Sequence, residues 1–255
     1  MGRFLIAFLS LAMAGAMPAC AQSPGASPSE SRFEGWTTAV IAADWRDGAG
    51  KPIRAFDNAR RDIVRGFQAA GLPAATMVDY SLNPALADPT TPRDVLAGVA
   101  AAAQRGQRGC LLYFTSHGSP EAVVFGETEL TPADMAQLVR QWCGARPTVV
   151  IVSACYSGIF VNALAAPNRM ILTAASRERT SFGCGEQETY PWFDGCVLEA
   201  MPTATDFLAL AAGARTCVVR KEAEAGIELS SQPQLFVGAE MQLRLPTMRF
   251  NQPAG

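Results

Sequence analysis

Cys110-Leu111-Leu112-Tyr113-Phe114-Thr115-Ser116-His117-Gly118 and Thr148-Val149-Val150-Ile151-Val152-Ser153-Ala154-Cys155-Tyr156-Ser157-Gly158 are two apolar runs that end alike: small polar residues, one reactive side chain and a glycine. A run apolar at every position predicts a strand covered on both faces, the pattern of a parallel sheet. A third run, Met170-Ile171-Leu172, ends in Thr173-Ala174-Ala175-Ser176. Parallel sheets place their ligands beyond the carboxyl ends of the strands, so neighbouring strands would set His117 and Cys155 face to face.

The same alternation extends in both directions. Trp36 to Ala43 reads as a buried first strand, followed by a polar loop over Asp44 to Lys51. A helix is predicted from Asp57 to Ala70, with Ile63 and Phe67 on its buried face and Gly71 as its stop. Thr76 to Tyr80 forms a second strand. Thr91-Pro92 and Thr131-Pro132 each open a helix, to Gln104 and Trp142, the first with a capping hydroxyl and a first-turn proline. A hairpin-like segment lies around Val123-Val124-Phe125, and helices near Phe193 to Met201 and Asp206 to Arg215 precede a last strand at Gln234-Leu235-Phe236-Val237. Strands alternating with helices predict an α/β domain with a mostly parallel sheet covered on both faces.

Composition narrows the function. With 49% hydrophobic and 17% charged residues the chain is globular, and a formal charge of -2 supplies no cationic field for nucleic acid. Arg60, Arg61 and Arg65 fit one solvated helix face. No stretch after the N-terminus holds eighteen uninterrupted apolar residues, so a later spanning helix is not expected. Met1 to Arg3, the apolar Phe4 to Met17 and Pro18-Ala19-Cys20-Ala21-Gln22 follow the order of a secretory signal. The expected organisation is a signal over 1–21, a Ser/Pro/Gly/Ala tether over 22–34, a domain over 35–245 and a tail over 246–255. Two processing routes fit: ordinary cleavage at Ala19-Cys20-Ala21, or a lipoprotein site that leaves a lipidated Cys20 as a membrane tether. Either exports the domain to the periplasm or cell envelope, where disulfides form; of Cys110, Cys143, Cys184, Cys196 and Cys217, at least one stays free. The spacing of Cys184 and Cys196 makes a bond between them conceivable.

His117 is the only histidine. A thiolate is the working nucleophile and needs a positioned base, and the same imidazole, once protonated, can serve the leaving amine. No metal or cofactor is required. Gly118 and Gly158 permit tight backbone turns in which the amides of Gly118 and Cys155 would face a developing oxyanion. Alone, a single histidine is usually structural and a strand-end cysteine usually filler; the pairing after two strong strands favours chemistry.

The two strand ends resemble the catalytic motifs of the legumain-type cysteine peptidases, family C13 of the caspase-like clan. The resemblance continues through Thr173 to Ser176, Arg179 to Cys184 and Thr189-Tyr190, and covers roughly Trp36 to Met201. It implies a caspase-like three-layer sandwich with about six strands, and peptide-bond hydrolysis through a thioester, or transpeptidation by the same route. It also implies a substrate pocket with Arg54 at the position of the family's arginine, Asp194 near its acid, and Ser176 on the third strand end. Ser153 stands where legumains carry a glutamate, which weakens the case for strict cleavage after asparagine. Pro52 replaces the family's asparagine, so the group orienting His117 comes from elsewhere. The expected partner is a peptide or protein substrate met by a monomer. Two other readings stand: a catalytically silent caspase-like domain that binds peptides, and an unrelated Cys/His hydrolase.

Overall fold

A computed structural model describes residues 1–2 and 32–251; the expected signal from residue 3 on, its cleavage site, Cys20 and the tether up to residue 31 lie outside them. The strands β1 (Trp36–Ala42), β3 (Gly109–Thr115) and β6 (Thr148–Ser153) are buried at every position, which is why their sequences show no alternation. With β2 (Met77–Ser81), β7 (Arg169–Thr173) and β8 (Gln234–Val237) they form one six-stranded sheet in the order β2-β1-β3-β6-β7-β8. All neighbours are parallel except β7 and β8. The fold is the expected α/β sandwich with a mostly parallel, six-stranded sheet.

Helices cover both faces. On one face α1 (Ala55–Ala69), α5 (Trp192–Ala200), α6 (Phe207–Glu224) and α7 (Ala239–Arg244) close a core through Ile63, Phe67, Tyr113, Phe193, Phe207 and Met241. On the other, α2 (Pro92–Arg105), α3 (Pro132–Cys143) and α4 (Ile159–Leu164) pack Val99, Val139 and Phe160 against Leu112, Phe114 and Val150. A small hairpin, β4 (Val123–Phe125) with β5 (Thr128–Leu130), stands beside the β3 tip. The threonine-proline signals open α2 and α3 as expected, each with a capping box completed by Asp94 or Asp134.

Several expectations are revised. The core extends past residues 35 and 245, because Phe33, Met248 and Phe250 are buried in it. The helix expected over Asp206 to Arg215 runs on to Glu224. Arg61 and Arg65 are exposed, but Arg60 is folded against Asp57 and Asp79. Cys196 bonds to Cys217, with Cα atoms 5.4 Å apart across packed α5 and α6, and Cys184 is free. The conceivable Cys184–Cys196 bond is thus absent, since adjacent helices bring Cys217 into reach. Cys110 on β3 bonds to Cys143 at the end of α3. No helix among the described residues is long and apolar enough to cross a membrane.

Candidate active site

Register decides which groups meet. Thr115 pairs with Ser153 at the last rung between β3 and β6, so His117 and Cys155 each follow two residues later on adjacent strand tips. Backbone contact is close: a Cβ on Gly118 would lie 2.3 Å from the Cys155 carbonyl oxygen, which leaves that position to glycine. Gly118 also bridges Val123, but the bridge uses the His117 oxygen and the Ser119 amide, leaving the Gly118 amide outside that ladder. Past the cysteine, Tyr156 holds φ 56°, unusual for a bulky side chain, and its amide donates to Arg179 at 2.8 Å. Ser157 Oγ accepts from the Ala175 amide at 3.1 Å, and a Cβ on Gly158 would meet the Arg177 nitrogen at 2.4 Å. The cysteine turn is therefore clasped by the segment after β7, and both Cys155 and His117 are half-buried.

His117 Nε2 lies 2.8 Å from the backbone carbonyl oxygen of Arg46. A carbonyl only accepts, so Nε2 carries the proton and Nδ1 is the free nitrogen of the neutral ring. Phe56 packs edge-on against the imidazole, with centroids 5.1 Å apart. The missing orienting group is thus a main-chain oxygen, invisible in side-chain identities. Cys155 Sγ rests against Ser181, accepting from its amide at 3.3 Å, with its carbonyl oxygen at 3.4 Å and hydroxyl at 3.6 Å.

The pocket candidates divide. Ser153 is buried at the β6 tip, and Ser176, half-buried, donates its amide to the Ser231 carbonyl at 2.8 Å. Arg54 is exposed ahead of α1 and borders a cleft with Pro52, Asn58 and Glu188. Asp194 has no exposed surface: Tyr113 Oη and Thr115 Oγ1 each donate to its carboxylate at 2.5 Å. Burial pushes this carboxyl up to about 6, against the lowering effect of hydrogen bonds from Thr115, Tyr113 and Ser153. Tyr113 is driven well above the ordinary tyrosine value, by burial first and then by Asp194. Burial, with the nearby Cys155 and Asp194, also raises the Cys184 thiol. Among the described residues, no group of three or more His, Cys, Asp or Glu is placed to hold a metal ion.

Residues 75–206 match the model of the peptidase C13 family. The chain belongs to the peptidase C13 family. No curated protein matches the chain. Among solved structures, caspase-1 from Spodoptera frugiperda is similar in fold, with a TM-score of 0.59 at 11% identity over 80% of this chain and 87% of that one. The solved structure shares the fold, and the family match spans both strand tips and Asp194.

Proposed function

We propose that the chain is a cysteine endopeptidase working through Cys155 and His117. The observation that supports it is the β3–β6 register, from which the only histidine and Cys155 each follow two residues past the last rung on adjacent strand tips, together with the Arg46 oxygen that occupies Nε2. Nδ1 takes the Sγ proton, and the thiolate adds to the scissile carbonyl carbon. The oxyanion is met by the amides of Gly118 and Cys155, the first of which is outside its local ladder. Protonated Nδ1 then donates to the leaving amine, and the C–N bond breaks to give a thioester. Water, deprotonated by the same nitrogen, displaces Sγ and releases the acid; an amine in place of water gives transpeptidation.

In this reading Arg54 and Ser176 border the substrate, while Ser153 and Asp194 shape the pocket floor from beneath. Replacing a glutamate by Ser153 removes a charge there, so strict asparagine preference is not expected. We further propose that the domain acts outside the cytoplasm as a monomer, with Cys20 as its tether if lipidated; two disulfides support an oxidising compartment.

One peptide-library digest of wild-type and Cys155→Ala proteins tests both points. Wild type should cleave with a residue preference broader than asparagine, and the variant should lose at least about 10³-fold in rate. Equal cleavage by the two would remove Cys155 from the mechanism, and an absolute asparagine requirement would refute the altered pocket. No cleavage by either, with Cys155 still reactive, would favour the silent peptide-binding domain.

A further inference from the structure

The segment Ala43-Asp44-Trp45-Arg46, just past β1, holds a buried acid that the proposed chemistry does not use. Asp44 is 4% exposed, and its Oδ1 alone accepts from the Trp45 amide at 2.7 Å, the Arg46 amide at 3.2 Å and Arg46 Nε at 2.9 Å. Asp44 therefore holds Arg46 by its amide and by its side chain. The hairpin completes the grip: Arg46 Nη2 donates to the Gly126 oxygen at 2.9 Å and Nη1 pairs with Glu127 at 3.2 Å. The Gly126 amide returns to the Ala43 oxygen at 2.8 Å. Burial works against the guanidinium charge, but the bond and charge of Asp44, then those of Glu127, outweigh it. The Arg46 oxygen belongs to the next peptide, whose Asp47 amide donates to the Lys51 oxygen at 2.7 Å; with Asp44 holding Arg46 on the other side, that oxygen meets His117 Nε2.

We propose that Asp44 is a positioning residue for His117, acting through the Arg46 peptide. The proposal rests on the Cys–His reading of the site. Asp44 touches neither nucleophile nor imidazole; it fixes the carbonyl that selects the Nδ1-free tautomer and aims the ring. Hydrogen-bond geometry at a catalytic ring is unforgiving, and a displacement of about 1 Å can cost about 10²-fold in rate. The charged groups around this turn are Asp44, Arg46, Asp47, Lys51 and Glu127; the Lys51 amide bond, then the Ala49 amide bond, the Lys51 charge and last His117 lower the Asp47 carboxyl against its desolvation.

The test alkylates Cys155 with iodoacetamide across pH, with the modified site mapped, in wild type, Asp44→Ala and Asp44→Asn. Cleavage kinetics are measured alongside. Deleting an anion by itself eases ionisation of a nearby thiol and moves the alkylation midpoint down. Losing the aimed imidazole leaves the thiolate without its counter-charge and moves the midpoint up. Asp44→Ala should therefore raise the midpoint by about one pH unit and cut kcat by about 10²-fold with KM held within about twofold. Asp44→Asn keeps Oδ1 as an acceptor and should hold kcat within about fivefold, with the midpoint at or below that of wild type. A midpoint unmoved or lowered in folded Asp44→Ala would overturn the proposal. So would a 10²-fold loss in Asp44→Asn, which decides alone if the alanine variant does not fold. The alkylation midpoint needs no substrate, so failure of wild type to cleave peptides would count against the peptidase reading and leave this result standing.

Discussion

Asp194 shows how one residue links the pocket to stability. Its carboxyl is raised from 3.8 to about 6 because complete burial outweighs the bonds from Thr115, Tyr113 and Ser153. A raised folded-state value means the native protein binds the proton more tightly than the unfolded chain. The associated stability is fully present below about 3.8 and is lost as pH rises through about 6. At about 1.4 kcal/mol per unit, the swing is roughly 2–3 kcal/mol between pH 4 and 7. Asp194→Asn keeps an acceptor for Tyr113 and removes the titration, so its stability relative to wild type should rise by that amount over the interval, read by urea denaturation. Parallel stability curves would show that Asp194 does not titrate there. At this scale the sequence was informative where function resides in a side chain, as with His117 and Cys155. It was silent on Arg46, whose contribution is a carbonyl that every residue carries, and on Asp44, which folds back onto the Trp45 and Arg46 amides and the Arg46 guanidinium.

Elements were legible in proportion to their punctuation. Thr91-Pro92 and Thr131-Pro132 announce α2 and α3 because a β-region threonine, a proline whose absent N–H is not missed in the first turn, and an aspartate three residues on all satisfy one geometry. Thr131 Oγ1 accepts from the Asp134 amide at 3.3 Å, so Thr131→Ala should cost about 1 kcal/mol of stability in chemical denaturation at neutral pH. A change under about 0.3 kcal/mol would show that the proline and Asp134 suffice to start the helix. The C-terminal half of α6 was hidden because Arg220, Lys221, Glu222 and Glu224 interrupt its apolar pattern. There the stripe continues only through Cys217 and Val218, and beyond them the buried Glu222 and ion pairs from Arg220 to Glu199 and Glu224 carry the helix on. The six-residue helices α4 and α7 are too short to show a period at all. The hairpin was visible only as Val123 to Phe125, yet it braces the site twice: Val124 donates to the His117 oxygen at 3.0 Å, and Gly126 and Glu127 hold Arg46.

Among the described residues the sheet separates two large cores, and each has its own disulfide. Cys110–Cys143 lies in the core under α2 and α3, while Cys196–Cys217 lies in the core under α5 and α6. Phe33 and Phe250, from opposite ends of the described chain, join the second core, which isolated aromatics in polar stretches could not announce. The bonds span 33 and 21 residues, and loop closure of that size is worth about 3 kcal/mol each in the chain-entropy account. The two bonds lie in different core clusters on opposite faces of the sheet and share no partner, the condition under which substitutions add. Replacing each cysteine pair by alanines should therefore lower stability by about 3 kcal/mol, and replacing both pairs should give the sum to within about 0.5 kcal/mol. Denaturant midpoints of the four proteins form the complete cycle. A double replacement far milder or harsher than the sum would mean that the cores communicate through the sheet. In that event a disturbance under α5 and α6 would reach the β3 and β6 tips, and kcat would fall with the Cys196–Cys217 bond. If the cores are independent, the pair variants should retain wild-type kcat well below their melting temperatures, because neither bond includes a residue of the site.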